Sequence, residues 1–215
     1  MKKSLLALSL LTAFGSASAD TIVADSVADF SGTQGQNSWY YGYKNGNLAS
    51  YSLTSFTQFS YFVDGVAWKY IKDGGAPWTQ LWADGGHPNG PNSGTAQVAV
   101  RRWISEIDGK VSIAGVLADT HPCCDNGVRG AIFIDGIDVW SASIADGGST
   151  NFSFGASVAR GSRVDFVLDP NGTDSADSTR FSARITSAVP EPETYAMLLA
   201  GLGLMGGIAR RRKQA

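Results

Sequence analysis

Residues 131–140 read AIFIDGIDVW, two apolar runs either side of Asp135-Gly136. An Asp-Gly pair in that setting is the strongest short-range hairpin signal, because a type I′ turn needs positive φ at both central positions. Outward from this hairpin the same pattern repeats. Residues 97–104 (QVAVRRWI) alternate, Asp108-Gly109 supplies a turn, and 110–117 alternate again. Further strands are expected at 150–158, 163–168 and 179–185, and earlier ones at 38–43, 51–53 and 57–61. No stretch between these keeps apolar residues at helical spacing over three turns. About eight to ten short strands joined by Gly/Asp turns predict an all-β body, a jelly-roll-like β-sandwich, with a closed barrel as the competing form. Val111, Ile113, Phe133, Phe152, Phe154, Val164 and Phe166 are the expected core, with Trp103 and Trp140 added from the alternating strands.

The two ends differ from this body. Lys2 and Lys3, an apolar stretch at 5–14 and Ala17-Ser18-Ala19 form the charged, apolar and small-residue parts of a secretory signal at 1–19. Asp20 is then the expected mature N-terminus, and 20–187 the sandwich domain. From residue 188 the chain reads AVPEPETYAMLLAGLGLMGGIARRRKQA. Pro190-Glu191-Pro192 is unsuited to a helix interior, since proline lacks the amide donor and restricts its predecessor. The apolar run at 195–209 would rise roughly 22 Å as a helix, short of a hydrocarbon core of about 30 Å unless it tilts or thins the bilayer. Arg210, Arg211, Arg212 and Lys213 would hold its end on the cytoplasmic side. The expectation is a short C-terminal transmembrane sorting helix within 188–215.

That order of parts resembles the PEP-CTERM sorting signal of Gram-negative bacteria that secrete exopolysaccharide. Tyr195 stands where the family more often has tryptophan. The resemblance implies export through the secretion translocon and transient residence in the inner membrane. It also implies recognition at Pro190-Glu191-Pro192 by an exosortase, a membrane protease-transpeptidase, with delivery to the envelope, outer surface or extracellular matrix. In the body, FSGTQGQNSWYYGY (30–43), RRWISEIDGKVSIAG (101–115), GAIFIDGIDVW (130–140) and RVDFVLDPNGTDSADSTRF (163–181) follow in order. The succession resembles a sandwich domain recurring in exported bacterial proteins, related in architecture to galactose-binding-like and jelly-roll carbohydrate-binding modules.

Outside the ends, 17 acidic face 11 basic side chains. A body of net charge about −6 repels phosphate backbones, which excludes nucleic acid as a natural partner. Oxygen-bearing Asp169, Asn171, Asp174 and Asp177 surround Gly172, a composition that suits either a structural Ca²⁺ site or a solvated turn capped by aspartates. The adjacent Cys123 and Cys124 cannot staple distant strands. In an oxidising compartment they form a vicinal disulfide or two partly buried thiols, since zinc sites space their cysteines further apart.

Trp78 and Trp82, in the glycine-rich loop 72–94, and the Trp39–Tyr43 cluster, Trp39 and Tyr41 above all, are candidate stacking surfaces for sugar rings. Catalysis has little to stand on. His87 and His121 lie away from any nucleophile motif, Glu106 is the body's one glutamate, and no phosphate-cradling loop occurs. The expected function is a non-enzymatic structural or adhesive protein of the envelope or exopolysaccharide matrix. A lectin-like carbohydrate-binding module is the alternative, and a polysaccharide-acting enzyme the weaker one.

Overall fold

The computed structural model describes residues 18–51, 56–124, 126–190, 199–203, 205 and 210. The chain divides into a compact unit, Ile22–Ser187, and a second unit made of the two ends, Met1–Thr21 and Ala188–Ala215. In chain order the strands are β1 (Ser18–Asp25), β2 (Trp39–Asn45), β3 (Thr57–Gln58), β4 (Tyr61–Val63), β5 (Ala67–Lys69), β6 (Gln80–Trp82) and β7 (Gly85–His87). There follow β8 (Gln97–Ile104), β9 (Gly109–Asp119), β10 (Val128–Ile134), β11 (Ile137–Ile144), β12 (Ser149–Val158), β13 (Arg163–Asp169) and β14 (Thr179–Pro190).

The strands form two sheets. One runs β12-β9-β14-β7-β6-β5-β4, with β1 also paired to β14; the other runs β11-β10-β13-β8-β2-β3. From β8 onward the chain winds between the sheets as a jelly roll does: β10 and β11 form a hairpin in one sheet, β9 and β12 pair in the other, then β13 enters between β8 and β10 and β14 beside β9. The body is a β-sandwich, as the alternation predicts. The hairpin is where 131–140 placed it: Ile134 pairs with Ile137, and Asp135 and Gly136 carry φ of 47° and 77°.

Alternation puts one face of each long strand between the sheets. Trp39, Trp103, Ile132, Val164 and Phe166 from one sheet meet Val111, Ile113, Leu117, Phe152, Phe181 and Ile185 from the other in a single buried cluster. Trp140 and Phe154 pack partly buried against it. This cluster and a smaller one lie entirely within residues 22–187, so that unit carries its own core.

The smaller cluster departs from the sequence reading. Phe133 does not face between the sheets; it joins Leu48, Val98, Val100, Ala131 and Val167 on the outer face of the second sheet, covered by Tyr51 and Phe56. The chain after β2 folds back over that face, so β8 is buried on both sides.

Three other expectations change. The strand expected at 57–61 is split between the sheets as β3 and β4. Of 51–53, Tyr51 follows a 3₁₀ turn at Leu48–Ser50, and the rest lies outside the described residues. The stretch 72–94 contains β6 and β7, each of three residues and too short to carry a periodic signal.

At the ends, β14 continues to Pro190, a strand terminus where a missing amide costs no interior ladder bond. Leu199–Gly203, Met205 and Arg210 are helical, with Leu199, Leu202 and Met205 exposed. No helix among the described residues is long and apolar enough to cross a membrane. Glu191, Pro192, Arg211, Arg212, Lys213 and most of the expected signal and sorting helix lie outside the described residues.

Candidate functional site

Strand directions gather six connections at one rim of the sandwich. β2, β5, β7, β9, β11 and β13 all end there, and β3, β6, β8, β10, β12 and β14 begin there, because each pairs antiparallel with a strand that ends at the rim. The loops so collected are 46–56, 70–79, 88–96, 120–127, 145–148 and 170–178. They hold Trp78, the Cys123–Cys124 pair and the Asp/Asn segment. Trp39, Tyr41 and Trp82 are elsewhere.

Between these loops lies a recess of about 410 Å³ lined by Asn47, Leu48, Ala49, Pro91, Ala96, Arg129, Asp169, Pro170, Asn171 and Gly172. Leu48, Ala49, Pro91 and Pro170 make an apolar floor, and Asn47, Asn171 and Arg129 bring polar groups to it. A mostly apolar hollow with a few convergent polar groups is the usual form of a small-ligand site. Arg129 opens β10 directly opposite Asp169 of β13. Among the described residues it has no ion-pair partner.

The walls are fixed by side-chain-to-backbone bonds across long sequence separations. The Asp169 carboxylate accepts from the backbone N–H of Leu48 (2.6 Å) and of Asn171 (2.8 Å). Asn126 donates to the Asn171 carbonyl, while its own oxygen accepts from the Thr173 N–H (3.2 Å) and hydroxyl (2.7 Å). Gly127 then brings the loop back into β10 at φ 76°, where a Cβ would fall 1.9 Å from the Ile144 carbonyl oxygen. Asn89 holds the 88–96 loop by donating to the carbonyls of Gly90 and Thr95, and its oxygen accepts from the Trp78 N–H. Trp78 is thereby tied to the loop that supplies Pro91, and the residue is 46 % exposed.

Of the four aromatics expected to contact glycan, Trp78 alone is well exposed on the rim. Trp39 and Tyr41 are 0 % exposed, a correction with a plain cause: on β2 both face inward, toward the sheet opposite. Tyr41 stacks on Trp68 at 6.0 Å and lies 6.0 Å from the Arg101 guanidinium, and burial raises its phenol pKa to about 12. Trp82 is half-buried on β6, at the end away from the rim.

The oxygen-rich segment is also rearranged. Asp169 spends both carboxylate oxygens on backbone amides, and the Asn171 side chain donates to the Asn126 carbonyl. Asp174 accepts from the Ser93 hydroxyl through Oδ1 (2.9 Å), while its buried Oδ2 meets no hydrogen-bond donor among the described residues. Among the described residues no three His, Cys, Asp or Glu side chains converge as a metal cage. Asp177, three residues after Asp174, is buried as well.

Cys123 and Cys124 are joined in a disulfide at the tip of the 120–127 loop, with His121 and Pro122 exposed beside it.

Sequence reasoning missed Arg129, Asn47 and Asn126. Arg129 sits at a strand start in an acidic body, a weak signal by itself. Nothing local announces that residues 47–49, 91, 129 and 170–172 share one hollow.

A jelly-roll sandwich followed by an export tail defines a sorted envelope protein. Residues 188–213 match the PEP-CTERM protein-sorting motif, which marks the chain as exported and sorted by an exosortase. No characterised protein matches the chain in sequence. Among solved structures it is similar to a family 35 carbohydrate binding module from Clostridium thermocellum, at 11% identity over 55% of this chain and 85% of that one, TM-score 0.31. It is similar also to the CBM51 of Clostridium perfringens GH95 in complex with methyl-galactose, at 11% identity over 67% and 100%, TM-score 0.34. A third is the CBM6cm-2 module of Cellvibrio mixtus lichenase 5A in complex with cellotriose, at 12% identity over 79% and 100%, TM-score 0.31.

Proposed function

We propose that this is a non-enzymatic protein of the envelope or exopolysaccharide matrix whose sandwich binds glycan at the loop rim. The observation that carries the reading is the recess around Arg129, with its apolar floor and fixed amide walls and the exposed Trp78 on the same rim. Sugars need both surfaces: C–H faces lie on apolar floor or ring, and hydroxyls take bonds from asparagine amides and a guanidinium. The sorting motif supplies the setting, because it marks the chain as exported and sorted by an exosortase. The purely structural role is the second reading; the enzyme is disfavoured, since Glu106 bonds Ser38 at the far end of the sandwich and does not reach the recess.

The test is titration of the 20–187 body with the host's own exopolysaccharide and with a glycan array. Saturable binding that weakens at least tenfold in Arg129→Ala and several-fold in Trp78→Ala supports the reading. Absence of binding to every glycan leaves the structural role.

A further inference from the structure

A second hollow lies on the outer face of the other sheet. It is an open groove of about 480 Å³ along β14, lined by Asp25, Val27, Ala28, Ala114, Gly115, Arg180, Ser182, Ala183 and Arg184. Alternation on β14 sends Phe181, Ala183 and Ile185 into the core and leaves Arg180, Ser182 and Arg184 in a row outside. The two arginines are four residues apart on an extended strand, about 13 Å. Opposite Arg184 on β9 stands Ala114, and opposite Ser182 stands Val116, so no long side chain fills the trough. One wall is the turn after β1, where the Asp25 carboxylate accepts from the N–H of Val27 (3.0 Å) and Ala28 (3.1 Å).

The electrostatics of this row decide what it suits. Asp25 Oδ2 accepts from Arg184 Nε at 3.1 Å, and Asp84 stands 3.9 Å from Arg180 Nε. Arg184 is thus held through Nε by Asp25 and Arg180 has Asp84 nearby, while among the described residues no hydrogen bond occupies the terminal nitrogens of either guanidinium, which leaves donors on a neutralised background. A groove with surplus donors, a serine hydroxyl and no surplus charge matches the hydroxyl and ring oxygens of an uncharged sugar. A polyanion would meet no net positive charge here and an acidic body around it.

We propose that the β14 groove is a second glycan site, taking two or three residues of a neutral polysaccharide chain. This rests on the glycan-binding reading of the rim and adds to it. With two sites on different faces, one chain bridges two polysaccharide strands, so the protein cross-links the matrix and does more than coat it.

The experiment is amide chemical-shift mapping of the ¹⁵N-labelled 20–187 body, with cellohexaose, laminarihexaose and hexagalacturonate as probes. The expected result is that a neutral hexasaccharide shifts Ala114, Gly115 and Ser182 as one saturable set and Asn47, Ala49 and Gly172 as another. Arg184→Gln should weaken the groove set about tenfold and leave the rim set unchanged. Ala114→Tyr, which fills the trough and keeps the Asp25–Arg184 pair, should do the same if the glutamine variant loosens the turn.

Shifts confined to the rim overturn the groove and leave the rim reading intact. Shifts in the groove only with hexagalacturonate overturn the neutral-ligand assignment. Absence of any shift at either set overturns both.

Discussion

Arg102 of β8 and Asp165 of β13 stand directly opposite each other and are joined by two parallel bonds, Nε to Oδ1 at 2.6 Å and a terminal nitrogen to Oδ2 at 2.8 Å. Asp165 is fully buried, the Tyr51 hydroxyl donates to the same carboxylate, and the guanidinium lies 4.6 Å above the Phe56 ring. The pair thus pins the segment after β2 over the second sheet, and that segment supplies Asn47, Leu48 and Ala49 to the rim recess. Burial and the adjacent Asp165 carboxylate push the Tyr51 phenol far above its ordinary range.

Breaking this pair from one side should be costly, because it strands a buried guanidinium. Asp165→Asn is expected to lose about 3 kcal/mol. Tyr51→Phe, which deletes one donor and keeps the ring on Phe133, should lose about 1 kcal/mol. Urea denaturation of both variants and of the double variant checks this. The double should cost less than the sum, since both act on one carboxylate; strict additivity would mean that Tyr51 and Asp165 do not share it.

Asp25 sets an acid limit. Burial would raise its pKa, but bonds from the Ala28 and Val27 amides and from Arg184 outweigh it and hold the carboxyl below 3.8. A group depressed on folding gives stability that is fully present above its unfolded pKa and is lost as pH falls through the folded one. The acid limb of a stability–pH curve should therefore steepen below about pH 3.8 and become shallower in Asp25→Asn. The same limb in both proteins would remove Asp25 as a contributor.

The sandwich was legible because long strands announce themselves. β8 to β14 each carry enough alternating residues to fix a face, and Asp135-Gly136 names its own turn. Phe133 shows the limit: period two says which residues share a face but not which face meets the other sheet, and here both faces are covered. The rim was illegible for a related reason. Leu48 and Asp169 are 121 residues apart, and one bond between them builds a wall that no local pattern records. Trp39 and Tyr41 misled although a strand was expected at 38–43: with polar residues before them and aromatics at 39, 40, 41 and 43, the segment does not say which face is buried, and the face carrying Trp39 and Tyr41 turns inward. The PEP-CTERM tail was read with ease since its signal is compositional and contiguous.

The Cys123–Cys124 bond closes no loop of chain, so its entropic effect on the unfolded state is small. Reduction, or replacement of both cysteines by serine, should change global stability by less than about 1 kcal/mol. Its effect should be local. The 120–127 loop carries Asn126, whose oxygen holds the Thr173 amide beside the recess. Hydrogen exchange at Thr173 should quicken on reduction while β13 amides stay protected. Unchanged exchange at Thr173 would show that the disulfide does not support the recess wall.

Among the described residues Asp174 offers calcium a foothold that can be tested. Asp174 is 3 % exposed, its Oδ1 is occupied by Ser93, and its Oδ2 faces no donor among the described residues, a costly state for a buried carboxylate oxygen. A hard cation relieves that cost and prefers such oxygens. Addition of millimolar Ca²⁺ to chelator-treated protein should raise the melting midpoint, and Asp174→Asn should abolish the rise. Asp169→Asn should behave differently: it removes the acceptor for Leu48 and Asn171, lowering the midpoint with and without calcium alike. A calcium-dependent rise that survives in Asp174→Asn places the ion elsewhere, and no rise in the unmodified chain means that Asp174 is buried without a metal.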